Sequence, residues 1–285
     1  MKTIDPAQTT LRDLSGYLNG AIAPRPIAFA STVDAAGRVN LSPFSYFNVF
    51  GLNPVTLVFS PNNRARDNTP KHTLLNVQEV PEVVINLLDY SLVQQASLAS
   101  AEYPRGVNEF VKAGFTETPS ERVRPPRVAE SPVSFECRVQ QIIPVGQGPG
   151  AANLVICEVL LMHISEKLLD ENGKIDSRKT DWVGRMGGEW YCRASGNAVF
   201  EVVRPNQRLG IGFDQLPEAV RNSRILTGNE LAQLANIEAL PEQPKILDFS
   251  RENQNLPADA DERHRRASQF LAGGDREKAW LMLLA

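Results

Sequence analysis

The chain has 285 residues, of which 42% are hydrophobic and 22% are charged, a composition typical of a globular protein with its own core. Its formal net charge of −3 gives no concentrated basic excess of the kind found in duplex-binding proteins, so no nucleic-acid partner is expected. No apolar run approaches the ~20 residues that span a bilayer, and the start of the chain lacks the apolar region of a signal peptide, so we expect a cytoplasmic protein with no membrane partner.

The predicted elements of the first two hundred residues are mainly β-strands, with helices inserted between them. In chain order, the predicted strands cover residues 25–34, 38–50, 54–60, 82–89, 134–145 and 152–166. The predicted helices cover residues 8–18, 68–80, 91–101 and a short segment around 107–113. The glycine-rich loop "GQGPGA" between the last two strands is interpreted as a hairpin turn and not as a phosphate loop, because no helix follows it.

The second predicted strand contains the segment "NLSPFSYFNVF", which combines aromatic side chains with Ser42, Ser45 and Asn48. Pro43 would interrupt an interior strand, because proline cannot donate a ladder hydrogen bond. Apolar faces beside small hydrogen-bonding groups suit a flat ring system with a polar rim, such as a flavin. An irregular edge strand with solvent-facing polar side chains explains the same pattern, and this segment alone does not separate the two interpretations.

The segment "RARDNTPKHT" precedes the second predicted helix, with Thr69 expected as its N-cap and Pro70 as its first residue. Arg64, Lys71 and Thr73 are residue types that bind phosphate, and free backbone N–H groups at a helix start favour an anion there. The segment therefore predicts a phosphate site or, alternatively, a solvated charged loop that caps a helix.

Two later features have both a structural and a functional interpretation. His163 lies near the end of a long apolar strand, where a histidine is either a satisfied core residue or a catalyst. The segment "RMGGEWY" begins at Arg185, which could meet an anion, and its glycines allow either close approach to a ligand or a bulged strand. The three cysteines are odd in number, far apart and without a C-x-x-C pair, so neither a disulfide framework nor a metal site is expected.

Several of these segments occur together, in order, in one family. From "APRPIAFAST" through "NLSPFSYFNVF", "TPKHTLLN", "EVVINLL", "PPRVAESPVSFECRV" and "ICEVLLMHI" to "VGRMGGEWY", the chain resembles the flavin reductase-like proteins, the FMN-binding split barrels. The resemblance implies a mainly β fold, an antiparallel six-stranded split β-barrel with inserted helices, over residues 1–200. A helical C-terminal extension would follow over residues 201–285, where apolar residues recur at helical spacing.

The resemblance also implies a homodimer that holds FMN near the subunit interface. The implied cofactor-binding residues are Ser42, Ser45, Tyr46, Phe47, Asn48, Arg64, Lys71, Thr73, Arg185 and Tyr191. His163 would approach the ring or the nicotinamide side and is the candidate catalytic residue. The chain departs from the family motif Pro-Lys-Asp-Thr at one position, where His72 replaces the aspartate. An imidazole beside a phosphate is electrostatically less unfavourable than a carboxylate.

The leading hypothesis is an FMN-binding oxidoreductase of the flavin reductase type, with NADH or NADPH as electron donor. A small-molecule electron acceptor or a partner redox protein would receive the electrons. Two alternatives remain open from the sequence: a flavin-binding electron carrier without its own nicotinamide site, and an interaction protein that keeps the fold without flavin.

Overall fold

The structure is a computed structural model that describes residues 1–203, 205 and 209–285. The chain forms two compact units, Met1–Phe200 and Glu201–Ala285. Within the described residues, no helix is both long enough and apolar enough to cross a membrane.

The first unit contains one large sheet and two small ones. In chain order the strands are β1 (Ala28–Val33), β2 (Val39–Phe44), β3 (Phe47–Leu52), β4 (Val55–Phe59), β5 (Glu82–Asn86), β6 (Glu117–Thr118), β7 (Arg127–Val128), β8 (Val133–Val145), β9 (Ala152–Ile164), β10 (Trp182–Arg185) and β11 (Tyr191–Ala194). The large sheet has the order β2-β1-β5-β8-β9-β4-β3, and every pairing in it is antiparallel. β6 pairs with β7 and β10 pairs with β11 in the small sheets.

The sheet has seven strands, where the sequence predicted six. The predicted strand over residues 38–50 is broken at Ser45 and Tyr46 into β2 and β3. The two halves then pair with different neighbours, β2 with β1 and β3 with β4, so they lie at opposite edges of the sheet. In the described part of the chain no ladder joins β2 to β3, so the predicted closure into a barrel is not seen in the pairing.

The strand β1 lies at the centre of the packing because all six of its residues are buried. Side chains alternate between the two faces of a strand. Ala28 and Ala30 therefore face one core cluster, which includes Leu74 and Val77, whereas Phe29 faces another, which includes Phe110. Both faces of the sheet are covered in this region, and this anchors the strand next to β2.

Four helices are inserted in the first unit: α1 (Leu11–Ala21), α2 (His72–Glu79), α3 (Val93–Leu98) and α4 (Glu109–Ala113). The predicted start of α2 at Thr69 and Pro70 is wrong, because its N-cap is Lys71. Asp67 accepts hydrogen bonds from the backbone N–H of Thr69 at 3.0 Å and from its hydroxyl at 2.5 Å. These bonds form a turn that holds Thr69 outside the helix.

The hairpin predicted for "GQGPGA" is present between β8 and β9. Gly146 and Gly150 have φ values of +78°, which side chains with a Cβ rarely adopt. The glycines therefore serve the turn.

The second unit is helical, with α5 (Glu218–Arg221), α6 (Gly228–Ala235), α7 (Gln243–Glu252), α8 (Ala260–Ala272) and α9 (Arg276–Leu284). Thr227 and Glu230 form a capping box at the start of α6. The indole N–H of the buried Trp280 donates to the carbonyl of Leu234 at 3.1 Å, so the largest side chain of this core is also hydrogen-bonded.

Candidate functional site

The outer edge of β2 tolerates proline because of its hydrogen-bonding pattern. The backbone N–H of Leu41 points away from β1 and donates to the carboxyl group of Glu109 at 2.9 Å. Pro43 stands two residues later in the same strand, so its missing N–H would also face outwards. Pro43 therefore removes no ladder bond, and β2 is an edge strand, where proline is accommodated.

This edge lies beside two cavities that share one residue. A small cavity of about 20 Å³ is lined by Ser42, and a larger one of about 620 Å³ is lined by Pro43 and Ser45. Ser100, after the end of α3, lines both cavities. The two cavities therefore adjoin one another along β2.

The small cavity is lined by the three predicted phosphate residues together with one predicted ring residue, Ser42, and these four come from β2, the loop before α2, and α2 itself. They are Ser42, Arg64, Lys71 and Thr73. The guanidinium of Arg64 donates through Nη1 to Thr69 Oγ1 at 3.0 Å and to the carbonyl of Pro70 at 2.6 Å. These bonds hold the arginine at the start of α2, where the helix dipole is also positive.

The hydroxyl of Thr73 is buried, and its oxygen accepts a hydrogen bond from the side-chain amide of Asn40 at 2.9 Å. A hydroxyl that accepts one bond keeps its own O–H as a donor. Burial lowers the pKa of His72, and the nearby charges of Arg64 and Lys71 lower it further. The imidazole is therefore neutral at pH 7 and adds no charge to this cavity.

The larger cavity brings together three other predicted residues, Ser45, Arg185 and Tyr191. The guanidinium of Arg185 lies 4.6 Å from the centroid of the Tyr191 ring, within cation–π range. Apolar and hydroxyl-bearing side chains complete the wall, among them Ile27 and Tyr90. The cavity therefore offers apolar faces, hydroxyl groups and two arginines, Arg185 and Arg193, together with the carboxylate of Glu189.

Arg25 is a residue of this region that the sequence interpretation missed. It is 8% exposed, and its guanidinium donates at 2.7 Å to the carbonyls of both Asn19 and Ile22. Its Nε lies 3.4 Å from the hydroxyl of Ser45, and burial lowers its pKa. The backbone of Arg25 also exchanges hydrogen bonds of 3.0 and 2.9 Å with Arg185. Arg25 thus ties α1, Ser45 and β10 together, and its only sequence signal is a position between two prolines.

The glycines of "RMGGEWY" have a packing role in this structure. A Cβ on Gly187 would lie 3.0 Å from the Cα of Gly20 in α1. Gly188 has a φ of +58°, which favours glycine in its turn. The close approach to α1 is therefore permitted by Gly187, and Gly188 serves the turn.

Three predicted ring-binding residues do not line either cavity. Tyr46 is exposed, and its hydroxyl donates to Asn19 Oδ1 at 3.1 Å. Phe47 packs against the core cluster that includes Phe44 and Phe59. Asn48 is exposed on β3, where its side-chain oxygen accepts a bond from the next backbone N–H at 2.8 Å. The break at Ser45 and Tyr46 separates these residues from the cavities.

His163 lines neither cavity and lies against a buried carboxylate. Its Nε2 is 2.6 Å from Glu136 Oε1, and Glu136 also accepts bonds from the backbone N–H groups of Glu121 at 3.0 Å and Arg122 at 2.6 Å. Burial opposes ionisation of Glu136, but these three donors outweigh it and hold the pKa below its usual value. The imidazole therefore serves to satisfy a fully buried charge.

Glu102 and Ser100 are cavity residues with no local sequence signal. Glu102 pairs with Arg64 at 2.9 Å across 38 positions of the chain. A pairing over that separation depends on how the loop after α3 folds back onto the start of α2, and no spacing rule predicts it.

Comparison with known proteins identifies the family of the first unit. The sequence model described as "Flavin reductase like domain" matches residues 21–179. An uncharacterized protein from Aquifex aeolicus is 37% identical over 183 residues, covering 64% of this chain and 91% of that protein. Nitrilotriacetate monooxygenase component B from Bacillus cereus, known from a crystal structure, is 31% identical in sequence, with a TM-score of 0.66. The match covers 71% of this chain and 98% of that one.

A second solved structure, 2-nitrobenzoate 2-nitroreductase from Pseudomonas fluorescens, is 27% identical with a TM-score of 0.63, covering 71% of this chain and 96% of that one. The family match spans Ser42, Arg64, Lys71 and Thr73 and ends before the second unit begins at Glu201. Because the match covers more than half of the chain, the chain belongs to the flavin reductase-like family.

Proposed function

We propose that this protein is an FMN-binding oxidoreductase that takes reducing equivalents from NADH or NADPH. The observation that carries the proposal is the position of Ser100. It lines both the larger cavity beside β2 and the small cavity, which is called the cationic cavity below because Arg64 and Lys71 line it. A ligand with an anionic tail and a flat ring would match this pair of cavities.

The residues present fit the two ends of such a ligand. Arg64, Lys71 and Thr73 supply a fork of N–H donors, a point charge and a hydroxyl, which are the donor types that phosphate takes. Ser45 and Arg185 supply donors beside apolar walls in the larger cavity, as the rim of an isoalloxazine requires. When bound, the flavin would supply the hydride and electron transfer chemistry, and the protein would orient it.

Within this proposal the chain's own groups bind and position. Arg25 would hold Ser45 and Arg185 in fixed relation through its side-chain and backbone bonds. Tyr191 would hold the Arg185 guanidinium by stacking at 4.6 Å. None of these groups needs to act as a general acid or base. His163 would have a structural role only, by stabilising Glu136.

The proposed electron acceptor has two candidate classes, each supported by one relative. The similarity to a monooxygenase component supports a partner redox protein as acceptor. The similarity to a nitroreductase supports a small-molecule acceptor. The large cavity beside Arg185, about 620 Å³, has room for a small molecule in addition to part of a flavin.

The experiment is an equilibrium titration with FMN and riboflavin, followed by anaerobic stopped-flow reduction with NADH and with NADPH. We expect FMN to bind more tightly than riboflavin and the flavin absorbance band to bleach with at least one nicotinamide. Binding of FMN without bleaching would favour the electron carrier instead. Failure to bind either flavin would contradict the proposal.

A homodimer is also proposed, from the exposure of the edge strand β3. Val49 is 54% exposed, Phe50 is 70% exposed and Leu52 is 83% exposed, on a strand with one free hydrogen-bonding edge. Natural proteins rarely leave a long apolar edge strand uncovered, because it invites association. A second copy of the chain is the occupant proposed for this edge.

Sedimentation velocity at micromolar concentration would test the dimer, with an expected mass of twice the 31.4 kDa chain. Phe50→Asp is expected to give the monomer, because a carboxylate would be buried at the interface. Val111→Asp is the matched control, since Val111 is 76% exposed on α4. A wild-type protein that sediments only as the 31.4 kDa species would contradict the dimer.

A further inference from the structure

The cationic cavity already contains an anion that belongs to the chain. The carboxylate of Glu102 lies 2.9 Å from Arg64 Nε, 3.0 Å from Arg66 Nη2 and 3.5 Å from Lys71 Nζ. Three cations thus converge on one carboxylate, where an isolated surface ion pair has only one. The cations next to Glu102 hold its pKa below the usual value although burial opposes ionisation, so the group is charged at neutral pH.

The room left beside Glu102 is too small for a phosphate. The cavity has about 20 Å³, which is space for about one water molecule. A phosphate group is larger than a water molecule, so a lining group has to move before a phosphate can enter this cavity. Thr73 is buried and hydrogen-bonded to Asn40, so it is held in place.

Glu102 is the lining group best able to move. It lies in the loop after α3, outside any helix or strand, and its side chain is 41% exposed. Arg64 does not depend on Glu102 for its orientation, because Thr69 and Pro70 accept two of its hydrogen bonds. The backbone of Lys71 is fixed as the N-cap of α2, and its side chain lines the cavity. Moving the carboxylate into solvent would therefore leave both cations facing the cavity.

We propose that Glu102 is a built-in competitor for the phosphate group of FMN. The proposal rests on the proposed function, because it assigns the phosphate of that flavin to the cationic cavity. Carboxylate and phosphate oxygens accept the same charge-assisted hydrogen bonds, so the two anions exclude one another. The competition weakens FMN relative to riboflavin and makes the bound flavin exchangeable.

The test compares Glu102→Gln with the wild type by measuring dissociation constants for FMN and for riboflavin. We expect about tenfold tighter FMN binding, equivalent to about 1.4 kcal/mol, and an unchanged affinity for riboflavin. Glu102→Ala is expected to behave in the same way, which separates loss of the charge from new contacts of the amide. Glu158→Gln is the matched control, because it removes a carboxylate paired with Arg138 at 2.9 Å on the sheet.

A second arm uses inorganic phosphate alone and follows thermal unfolding. We expect phosphate to stabilise Glu102→Gln at concentrations that do not affect the wild type or Glu158→Gln. Equal FMN binding by both Glu102 variants would overturn the proposal. Weaker binding would overturn it too, and would mean that Glu102 supports the cations instead of competing for them. If no protein binds flavin, the proposed function fails, and the phosphate arm alone decides whether Glu102 occupies an anion site.

Discussion

The pair of His163 and Glu136 allows the candidate catalytic residue to be tested against a structural role. Replacing His163 with alanine removes a donor 2.6 Å from a carboxylate that is fully buried. Glu136 would keep the backbone N–H groups of Glu121 and Arg122 as donors. The variant therefore loses part of the stabilisation of a buried charge, and the fold is expected to survive.

The size of the expected loss of stability follows from the kind of hydrogen bond that His163→Ala removes. A hydrogen bond to a charged group contributes about 1.5–3 kcal/mol to stability. In native-state hydrogen exchange, a loss of this size would accelerate the amides of β8 by roughly 10- to 100-fold. The peptide that covers Val133–Val145 reports on this strand by itself, whatever the stability of the second unit.

His163→Gln is the matched control, because its amide N–H can replace the imidazole donor and should restore most of the protection. In both variants the dissociation constant for FMN and the rate of flavin reduction by NADH or NADPH should stay within about threefold of the wild type. Unchanged exchange in His163→Ala together with a large loss of reduction rate would refute this reasoning. It would return His163 to the role of a catalytic residue.

Three further predictions concern phosphate recognition, packing and acid stability. Lys71→Ala should weaken the binding of FMN about 10- to 100-fold in a fluorescence titration, because one charge-assisted contact is lost, and should leave the affinity for riboflavin unchanged. Lys174→Ala, at an exposed lysine, is the control. An equal effect of Lys71→Ala on both flavins would count against a phosphate contact. Gly184→Ala should lower the free energy of unfolding in urea by about 1–3 kcal/mol, because the new Cβ would lie 2.8 Å from the Cβ of Pro24. Gly16→Ala is the control, because its new Cβ meets nothing within 4 Å and should not destabilise the protein. Equal stabilities of the two variants would contradict the close packing at Gly184. The pKa of Glu136 is lowered in the folded protein, so its contribution to stability is complete above pH 4.5 and is lost as the pH falls through the lowered pKa. Glu136→Gln should therefore lose less unfolding free energy in acid than the wild type does. Identical slopes of unfolding free energy against pH for the two proteins would show that Glu136 does not titrate in this range.

Much of the local structure could be predicted because it depends on neighbouring residues. The alternation and β-branched content of the strands, and the glycines of the loop after Val145, act over a few positions. The start of α2 was predicted two residues too early, since the bonds from Thr69 to Asp67 compete with the helix for the same backbone. Arg64 and Lys71 meet in one cavity because only seven positions separate them in the sequence.

The remaining features depend on contacts between distant segments. The division of residues 38–50 into β2 and β3 follows from pairing with two different strands, and it separates Tyr46, Phe47 and Asn48 from the cavities. Ring-binding residues chosen from one continuous segment could not reflect a break whose partners lie elsewhere in the chain.

By itself, the sequence determined that this chain has strands before residue 200 and helices after it, and that cations cluster at the start of α2. Only the tertiary structure decided that Glu102 lies among those cations and that His163 lies against Glu136. The physical reason is that local propensities act between neighbours in the chain. A buried charge, in contrast, must be satisfied by whichever donors the folded chain brings within hydrogen-bonding distance, however far apart they are in the sequence.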